Sequence, residues 1–116
     1  MIYYLARDRR VIPNSFDHQP AEIKEAINSF IDGLISFAHA NGTSFYVRDL
    51  VGKKVYPNGW SGIPLDAIYQ YHVNRGTENP VDQAGKDIGY IFKERIMQSN
   101  LMFKLDREFN NLYTPL

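Results

Sequence analysis

Basic and aromatic side chains at helical spacing are the residues of this chain best suited to contact a partner. Lys86, Tyr90 and Lys93 lie four and three residues apart, and Met97 follows one turn later. A helix would therefore present these side chains on one face. Lysine ammonium groups contact phosphate oxygens, so this face is a candidate nucleic-acid-binding surface.

Two further cations extend this candidate surface. Lys104 and Arg107 belong to a predicted terminal hairpin, from which they could reach a phosphate backbone or a minor groove. Asp87 and Glu94 are predicted to interrupt the same face and to repel phosphates. The alternative interpretation is a solvated helix surface with ion pairs between residues four apart.

The overall charge argues against a strong solitary DNA binder. Thirteen basic residues balance thirteen acidic ones, for a formal net charge of zero, whereas nucleic-acid-binding proteins usually carry a basic surplus. A second basic cluster, Arg7, Arg9 and Arg10, is either a solvated loop or a flexible basic arm.

No residue pattern indicates catalysis, a metal or a cofactor. His18, His39 and His72 lack the spacing of three or four residues that binds zinc from one helix. The carboxylates are scattered, there is no cysteine, and neither a phosphate-binding loop nor a nucleophilic serine motif is present. A histidine-based ribonuclease would need two histidines to converge, which nothing in the sequence indicates. We therefore predict a non-enzymatic module without cofactors.

The elements that must position these residues fit one domain, residues 1–116, because 116 residues suffice for a single core. A first helix is predicted from a cap at Asp17 or His18, with Pro20 in its first turn, to the stop signal Asn41-Gly42. Its apolar residues recur at intervals of three and four. They are Ile23, Ala26, Ile27, Phe30, Ile31, Leu34, Phe37 and Ala38.

Shorter elements surround that helix. Residues 2–6 are predicted to form a strand or the start of a helix, and residues 45–51 a two-turn helix that ends at Gly52. Residues 57–59, Pro-Asn-Gly, predict a turn. Trp60 is predicted to cover the core, with an exposed, partner-binding Trp as the alternative.

A long helix over residues 80–98 carries the candidate surface. Asn79 is predicted to cap it and residues 65–72 to precede it as a helix, with a strand as the alternative. Gly85 and Gly89 lie on one face, where each costs about 1 kcal/mol relative to alanine, so another element is expected to approach closely there. Residues 101–105 and 112–116 predict a terminal hairpin in which Pro115 suits an edge strand.

The last two thirds of the chain carry a recurring set of apolar, aromatic and turn residues: Phe45, Val47, Asp49, Leu50, Trp60, Pro64, Ile88, Gly89, Phe92, Asn110 and Tyr113. This pattern resembles that of a family of short bacterial and phage-borne proteins with a winged-helix-like domain, and the resemblance covers residues 44–116. It departs from the family between Pro64 and Gly89, where more than twenty residues intervene and an inserted helix would account for the gap. The resemblance implies a winged-helix-like domain with a C-terminal β-hairpin. We therefore predict a mostly helical α+β fold of this type, with the first helix, within residues 1–43, as an added N-terminal brace.

The rival interpretation is a protein–protein interaction module with a tyrosine-rich surface, either an adaptor or inhibitor or a homodimer, because the aromatic residues of this chain cannot all be buried in a domain of this size. The aromatic residues in question are Tyr3, Tyr4, Tyr46, Tyr56, Trp60, Tyr69, Tyr71 and Tyr90. A net charge near zero permits self-association.

No apolar run is long enough to span a bilayer, so a cytoplasmic location is expected.

Overall fold

The computed structural model describes residues 2–3, 11–52, 55–56, 60–107 and 110–116, the first two by backbone alone. In these ranges the chain has a mostly helical α+β fold, as the sequence predicts. The helices are α1 (Asn14–Asp17), α2 (Ala21–Asn41), α3 (Val47–Val51), α4 (Asp66–Arg75) and α5 (Pro80–Gln98). The strands are β1 (Ile2–Tyr3), β2 (Phe45–Tyr46), β3 (Phe103–Arg107) and β4 (Asn111–Pro115).

Helix α2 follows its apolar stripe, with two corrections. Gly42 ends it in the left-handed conformation (φ 73°), as predicted. Pro20, rather than Asp17 or His18, is the residue that precedes the first helical turn; Asp17 instead ends the separate helix α1. Phe37 was predicted to face inward but is 64% exposed, because the buried stripe runs through Ile31, Ile35 and Ala38 instead.

Helix α5 is the central helix of the fold and packs against α1, α2, α3 and α4. Its predicted start is confirmed, since Asn79 precedes the first helical residue, Pro80. The core that it shares with α2 and the sheet contains fully buried apolar side chains. Each Ile, Leu or Phe among them contributes roughly 1.5–3 kcal/mol relative to an exposed position. They include Ile27, Ile31, Leu65, Ile68, Ala84, Ile88, Phe92, Ile96 and Phe103.

The terminal hairpin forms as predicted and organises the sheet, whose strand order is β1-β3-β4-β2. Strand β1 pairs with β3 in parallel, and β2 pairs with β4 antiparallel, with Phe45 opposite Tyr113. Strand β4 is thus an inner strand, and the prediction of an edge strand at Pro115 is wrong. Pro115 lies at its end, opposite Phe103 and beyond the stretch that pairs with β2, so its missing N–H does not interrupt that pairing.

The structure also tests the predictions for Trp60 and for the shorter helices and strands. Trp60 is only 3% exposed and donates its indole N–H to the Val51 carbonyl at 2.7 Å, which excludes the exposed alternative. Residues 66–75 are helical and residues 2–3 form a strand. The helix predicted over residues 45–51 is confirmed only for residues 47–51, because residues 45–46 pair with β4 as strand β2. The turn at 57–59 and the Arg7, Arg9 and Arg10 cluster lie outside the described residues.

A charged pair joins the two long helices. The Arg95 guanidinium donates from Nε and Nη2 to the two carboxylate oxygens of Asp32, each at 2.8 Å. This two-bond geometry links α5 to α2 and raises the pKa of Arg95, chiefly through the hydrogen bonds to Asp32.

Candidate functional site

The predicted surface on α5 is accessible to solvent. Lys86 is exposed, Tyr90 is 43% exposed and Lys93 is half-buried. Met97 continues the same face one turn later and is also exposed. These side chains lie together because their spacing of four, three and four residues repeats the helical turn. We call Lys86, Tyr90, Lys93 and Met97 the α5 face.

The two glycines of α5 border this face and do not serve the expected packing role. A Cβ atom added at Gly85 or Gly89 would meet no atom within 4 Å among the described residues. The expected close approach of another element is therefore not found among the residues that the structure describes. The open space beside them leaves the α5 backbone accessible next to Lys86 and Tyr90.

The hairpin cations do not share one side of the sheet. Along β3, Phe103 and Leu105 are buried, while Lys104 between them is exposed and lies 3.7 Å from Asp106. Because side chains alternate along a strand, Lys104 and Arg107 belong to opposite faces. The structure therefore does not bring these two predicted contact residues together.

Asp87 does not interrupt the α5 face, contrary to the sequence prediction. It is 5% exposed and faces α1 and α4. Ser15 Oγ donates to its Oδ2 at 2.6 Å, and His72 Nε2 lies 2.6 Å from the same oxygen. Gln83, one turn earlier on α5, donates to Oδ1 at 3.2 Å. Three donors thus surround one buried carboxylate.

Local structure on two helices positions the partners of Asp87. The side chain of Gln19 donates to the carbonyls of Ser15 (2.9 Å) and Ala67 (3.2 Å), which ties α1 to α4. At the end of α4, Gly76 takes a left-handed conformation (φ 69°), and the Thr77 amide then donates to the His72 carbonyl at 3.0 Å. This turn places the Thr77 hydroxyl 3.2 Å from His72 Nδ1.

The hydrogen bonds define the protonation pattern of this cluster. A carboxylate can only accept hydrogen bonds, so His72 presents a protonated Nε2 to Asp87. Its Nδ1 then faces the Thr77 hydroxyl, which can serve as donor or acceptor. We call Ser15, His72, Thr77, Gln83 and Asp87 the polar cluster.

A pocket of about 330 Å³ opens onto the polar cluster. Its other lining residues include Val11, Pro13, Tyr71 and Tyr90. Arg75 also lines it, donates from Nη1 to the Tyr71 hydroxyl at 2.6 Å, and lies with its guanidinium carbon 5.4 Å from the centre of that ring. The pocket thus combines a buried polar base, aromatic sides and an exposed cation.

The order of the hydrogen bonds differs from that of a nucleophilic triad. In such a triad the histidine lies between the nucleophile and the acid. Here Ser15 and His72 both bond to Asp87, so the hydrogen bonds do not join Ser15 Oγ to the imidazole. The hydrogen bonds hold these side chains in fixed positions, in an order that is not that of a nucleophilic triad.

The other histidines lie elsewhere. His18 Nδ1 is 3.5 Å from the Tyr71 hydroxyl, and His39 packs edge-on against Phe103. Within the described ranges, no three His, Cys, Asp or Glu side chains form a group able to hold a metal ion. None of the helices in these ranges has the length and apolarity that a membrane span requires.

Sequence reasoning missed the polar cluster because its members are far apart in the chain: 72 residues separate Ser15 from Asp87. One signal was present. Asp87 lies three residues after Ala84 and four before Ile91, both on the buried side of α5, so helical spacing places it at the border of the apolar stripe rather than on the outer face.

Comparisons with protein-family models, curated proteins and solved structures found no match for the chain.

Proposed function

We propose that this protein is a non-enzymatic module that binds nucleic acid through the α5 face. The observation that carries the proposal is the joint exposure of Lys86 and Tyr90 beside Lys93 on one side of a 19-residue helix. A helix of this length is about 28 Å long at 1.5 Å per residue, which is enough to lie along a groove of duplex DNA.

The order of elements supports a winged-helix-like assignment. Helix α2 precedes the small elements β2 and α3, and α5 leads into the β3–β4 hairpin. In this proposal α5 is the recognition helix, the hairpin is the wing, and α2 is the N-terminal brace. A bacterial or phage setting and a cytoplasmic location belong to the same proposal.

Each residue of the α5 face has a distinct proposed role. Lys86 and Lys93 contact phosphates on either side of Tyr90, whose hydroxyl and ring can meet a phosphate or a base. The open space at Gly85 and Gly89 allows the nucleic-acid backbone to approach the helix closely. Because Lys104 and Arg107 lie on opposite faces of β3, only one of them joins the contact in a given complex.

Because the chain has no net charge, we expect weak binding to nucleic acid that depends on a few lysine–phosphate contacts. Two or three lysine–phosphate contacts give a slope of about −2 to −3 in a plot of log affinity against log salt. Fluorescence anisotropy with random-sequence duplex DNA at low and moderate salt measures this slope. Lys86→Glu and Lys93→Glu should each weaken binding, since each reverses a charge at a proposed phosphate contact.

Arg48→Glu is the matched control, because Arg48 is an exposed cation on α3 that stacks on Tyr46, with its guanidinium carbon 4.9 Å from the ring centre. It makes the same change in net charge away from the α5 face. Equal losses in all three variants, or no binding at low salt, would refute the proposal.

Self-association is the second candidate function, and the exposure of Phe37 favours it. A phenylalanine that is 64% exposed on a long helix is a large apolar side chain in water, and the chain has no net charge to keep copies apart. Light scattering coupled to size-exclusion chromatography should show a dimer that Phe37→Ser converts to a monomer. A wild-type monomer at about 100 μM, well above the Kd of a stable dimer, would exclude this candidate.

A further inference from the structure

We propose that the pocket above the polar cluster is a second binding site, which takes a small organic oxyanion, either a carboxylate or a phosphate monoester. The anionic group is held by Arg75 at the rim, and the body of the ligand lies between Tyr71 and Tyr90. This inference does not rest on nucleic-acid binding. Tyr90 borders both sites, but the cation that holds the oxyanion is Arg75 rather than Lys86 or Lys93, and the class of ligand differs.

The base of the pocket is a built polar site rather than a surface hollow. Ser15, His72 and Asp87 are all buried, with residue exposures of 1%, 8% and 5%. Removing a carboxylate from water is costly unless hydrogen bonds compensate it, and a hydrophobic contact would hold α1, α4 and α5 together without that cost. Such a cluster at the bottom of a pocket is typical of a binding site.

The charges favour an anion over a cation. Both oxygens of Asp87 already accept hydrogen bonds from the polar cluster, so the carboxylate has little capacity left for a cationic ligand. Arg75 has one hydrogen bond, to Tyr71, and no carboxylate partner among the described residues. Its remaining N–H groups can form the two parallel bonds that carboxylates and phosphates accept.

The size and walls of the pocket define the rest of the ligand. A volume of about 330 Å³ lies at the small end of ligand sites, which span roughly 300–1,000 Å³. The tyrosine rings and the apolar atoms of Val11 and Pro13 suit a compact, unsaturated or aromatic body. Thr77 and Gln83 supply polar atoms beside it.

His72 is a positioning residue in this site. Its bond to Asp87 fixes the imidazole, and its Nδ1 orients the Thr77 hydroxyl. Arg75 follows three residues later, at the last position of the same helix. The polar cluster therefore holds the end of α4 that carries Arg75.

The test is a titration of ¹⁵N-labelled full-length protein with benzoate, with phenyl phosphate and with benzamide, the neutral analogue of benzoate. We expect saturable shifts of the Thr77, Gln83 and Asp87 amide resonances with at least one of the two anions. A fragment of this size should bind with a Kd of about 1 mM, or −4 kcal/mol. Benzamide should bind at least about tenfold more weakly because it lacks the charge.

Two arginine variants test the role of the cation. Arg75→Gln should weaken binding of the anion about tenfold, whereas Arg48→Gln, which removes another exposed arginine stacked on a tyrosine, should leave it unchanged. Both positions are exposed, so both variants should retain the wild-type spectrum. The comparison of benzoate with phenyl phosphate identifies which oxyanion the site prefers.

Several outcomes would overturn the proposal: no saturable shift with either anion, equal binding of benzamide, or an Arg75→Gln variant that binds as wild type does. If Arg48→Gln weakens anion binding as much as Arg75→Gln does, the binding depends on the overall charge of the protein rather than on Arg75. None of these outcomes affects the DNA experiment, whose variants lie at Lys86 and Lys93, so the two proposals fail separately.

Discussion

His72 and Asp87 join α4 to α5 through a 2.6 Å contact between Nε2 and Oδ2. The same oxygen accepts the hydroxyl of Ser15 from α1, so three helices meet at one carboxylate. The buried residues of the pocket therefore also hold α1, α4 and α5 together. They cannot rearrange without loss of packing between these helices. Stability and ligand binding are therefore expected to change together when the carboxylate is altered.

Asp87→Asn should lower the free energy of unfolding by about 1–3 kcal/mol. The amide keeps the shape of the side chain, but it replaces one acceptor by a donor. With its oxygen in the place of Oδ2 its NH2 group faces the donor of Gln83, and with its oxygen in the place of Oδ1 the NH2 group faces the donors of Ser15 and His72. Urea denaturation measures the loss. Asp106→Asn is the control, because its pair with Lys104 at 3.7 Å is exposed and should contribute less than about 1 kcal/mol. Equal losses of unfolding free energy in the two variants would contradict a structural role for the buried carboxylate.

Gly85→Ala and Gly89→Ala should each stabilise the protein by about 0.5–1 kcal/mol. Alanine restricts the unfolded chain and favours the helix, and the added methyl group meets open space at both positions. Gly52→Ala should destabilise, since its Cβ would collide with the carbonyl oxygen of Arg48. A loss of stability in Gly85→Ala would show that another part of the chain covers α5 there. If the alanine variants gain stability but bind DNA less well, close approach by nucleic acid is supported.

Phe92→Ala should lower the free energy of unfolding by about 3–5 kcal/mol, whereas Phe37→Ala should change it by less than about 0.5 kcal/mol. The substitution is the same, but Phe92 is fully buried and Phe37 is 64% exposed. Chemical denaturation of both variants at a concentration that keeps the protein monomeric provides the comparison. A large loss in Phe37→Ala would mean that this side chain is covered in solution.

Alkaline pH should destabilise the fold through Tyr113. Burial raises the pKa of Tyr113 to about 12, against the lesser, opposing effects of Asn111 and Arg107. The unfolded chain ionises this phenol near pH 10, so the unfolded state binds fewer protons than the native state between pH 10 and pH 12. Stability is therefore unaffected below pH 10 and falls above it, by up to about 1.4 kcal/mol per pH unit.

Tyr113→Phe should flatten this alkaline dependence, because phenylalanine has no proton to lose. Urea denaturation at pH 9, 10 and 11 measures it for the variant and the wild type. Tyr90→Phe is the control, since it removes the same hydroxyl from an exposed position. An unchanged slope in Tyr113→Phe would assign the alkaline loss to other groups.

The helices and strands that could be predicted from the sequence are those specified by residues close together in the chain. Apolar spacing and Gly42 defined α2, Asn79-Pro80 defined the start of α5, and two short apolar runs around a polar turn defined the hairpin. These predictions held because helical periodicity, capping and turn formation depend on residues within a few positions of one another.

Which side chains are buried at the edge of an apolar helix face depends on how the helices pack, and this could not be predicted from the sequence. Asp87, expected on the solvent side of α5, lies at the junction of three helices, and Phe37, expected in the core, lies in solvent. Gly85 and Gly89, expected to pack, face open space. The polar cluster joins positions 15, 72 and 87, and no local pattern encodes the approach of α1 and α4 to α5. That approach follows from packing of the whole core, so the pocket exists only in the folded chain.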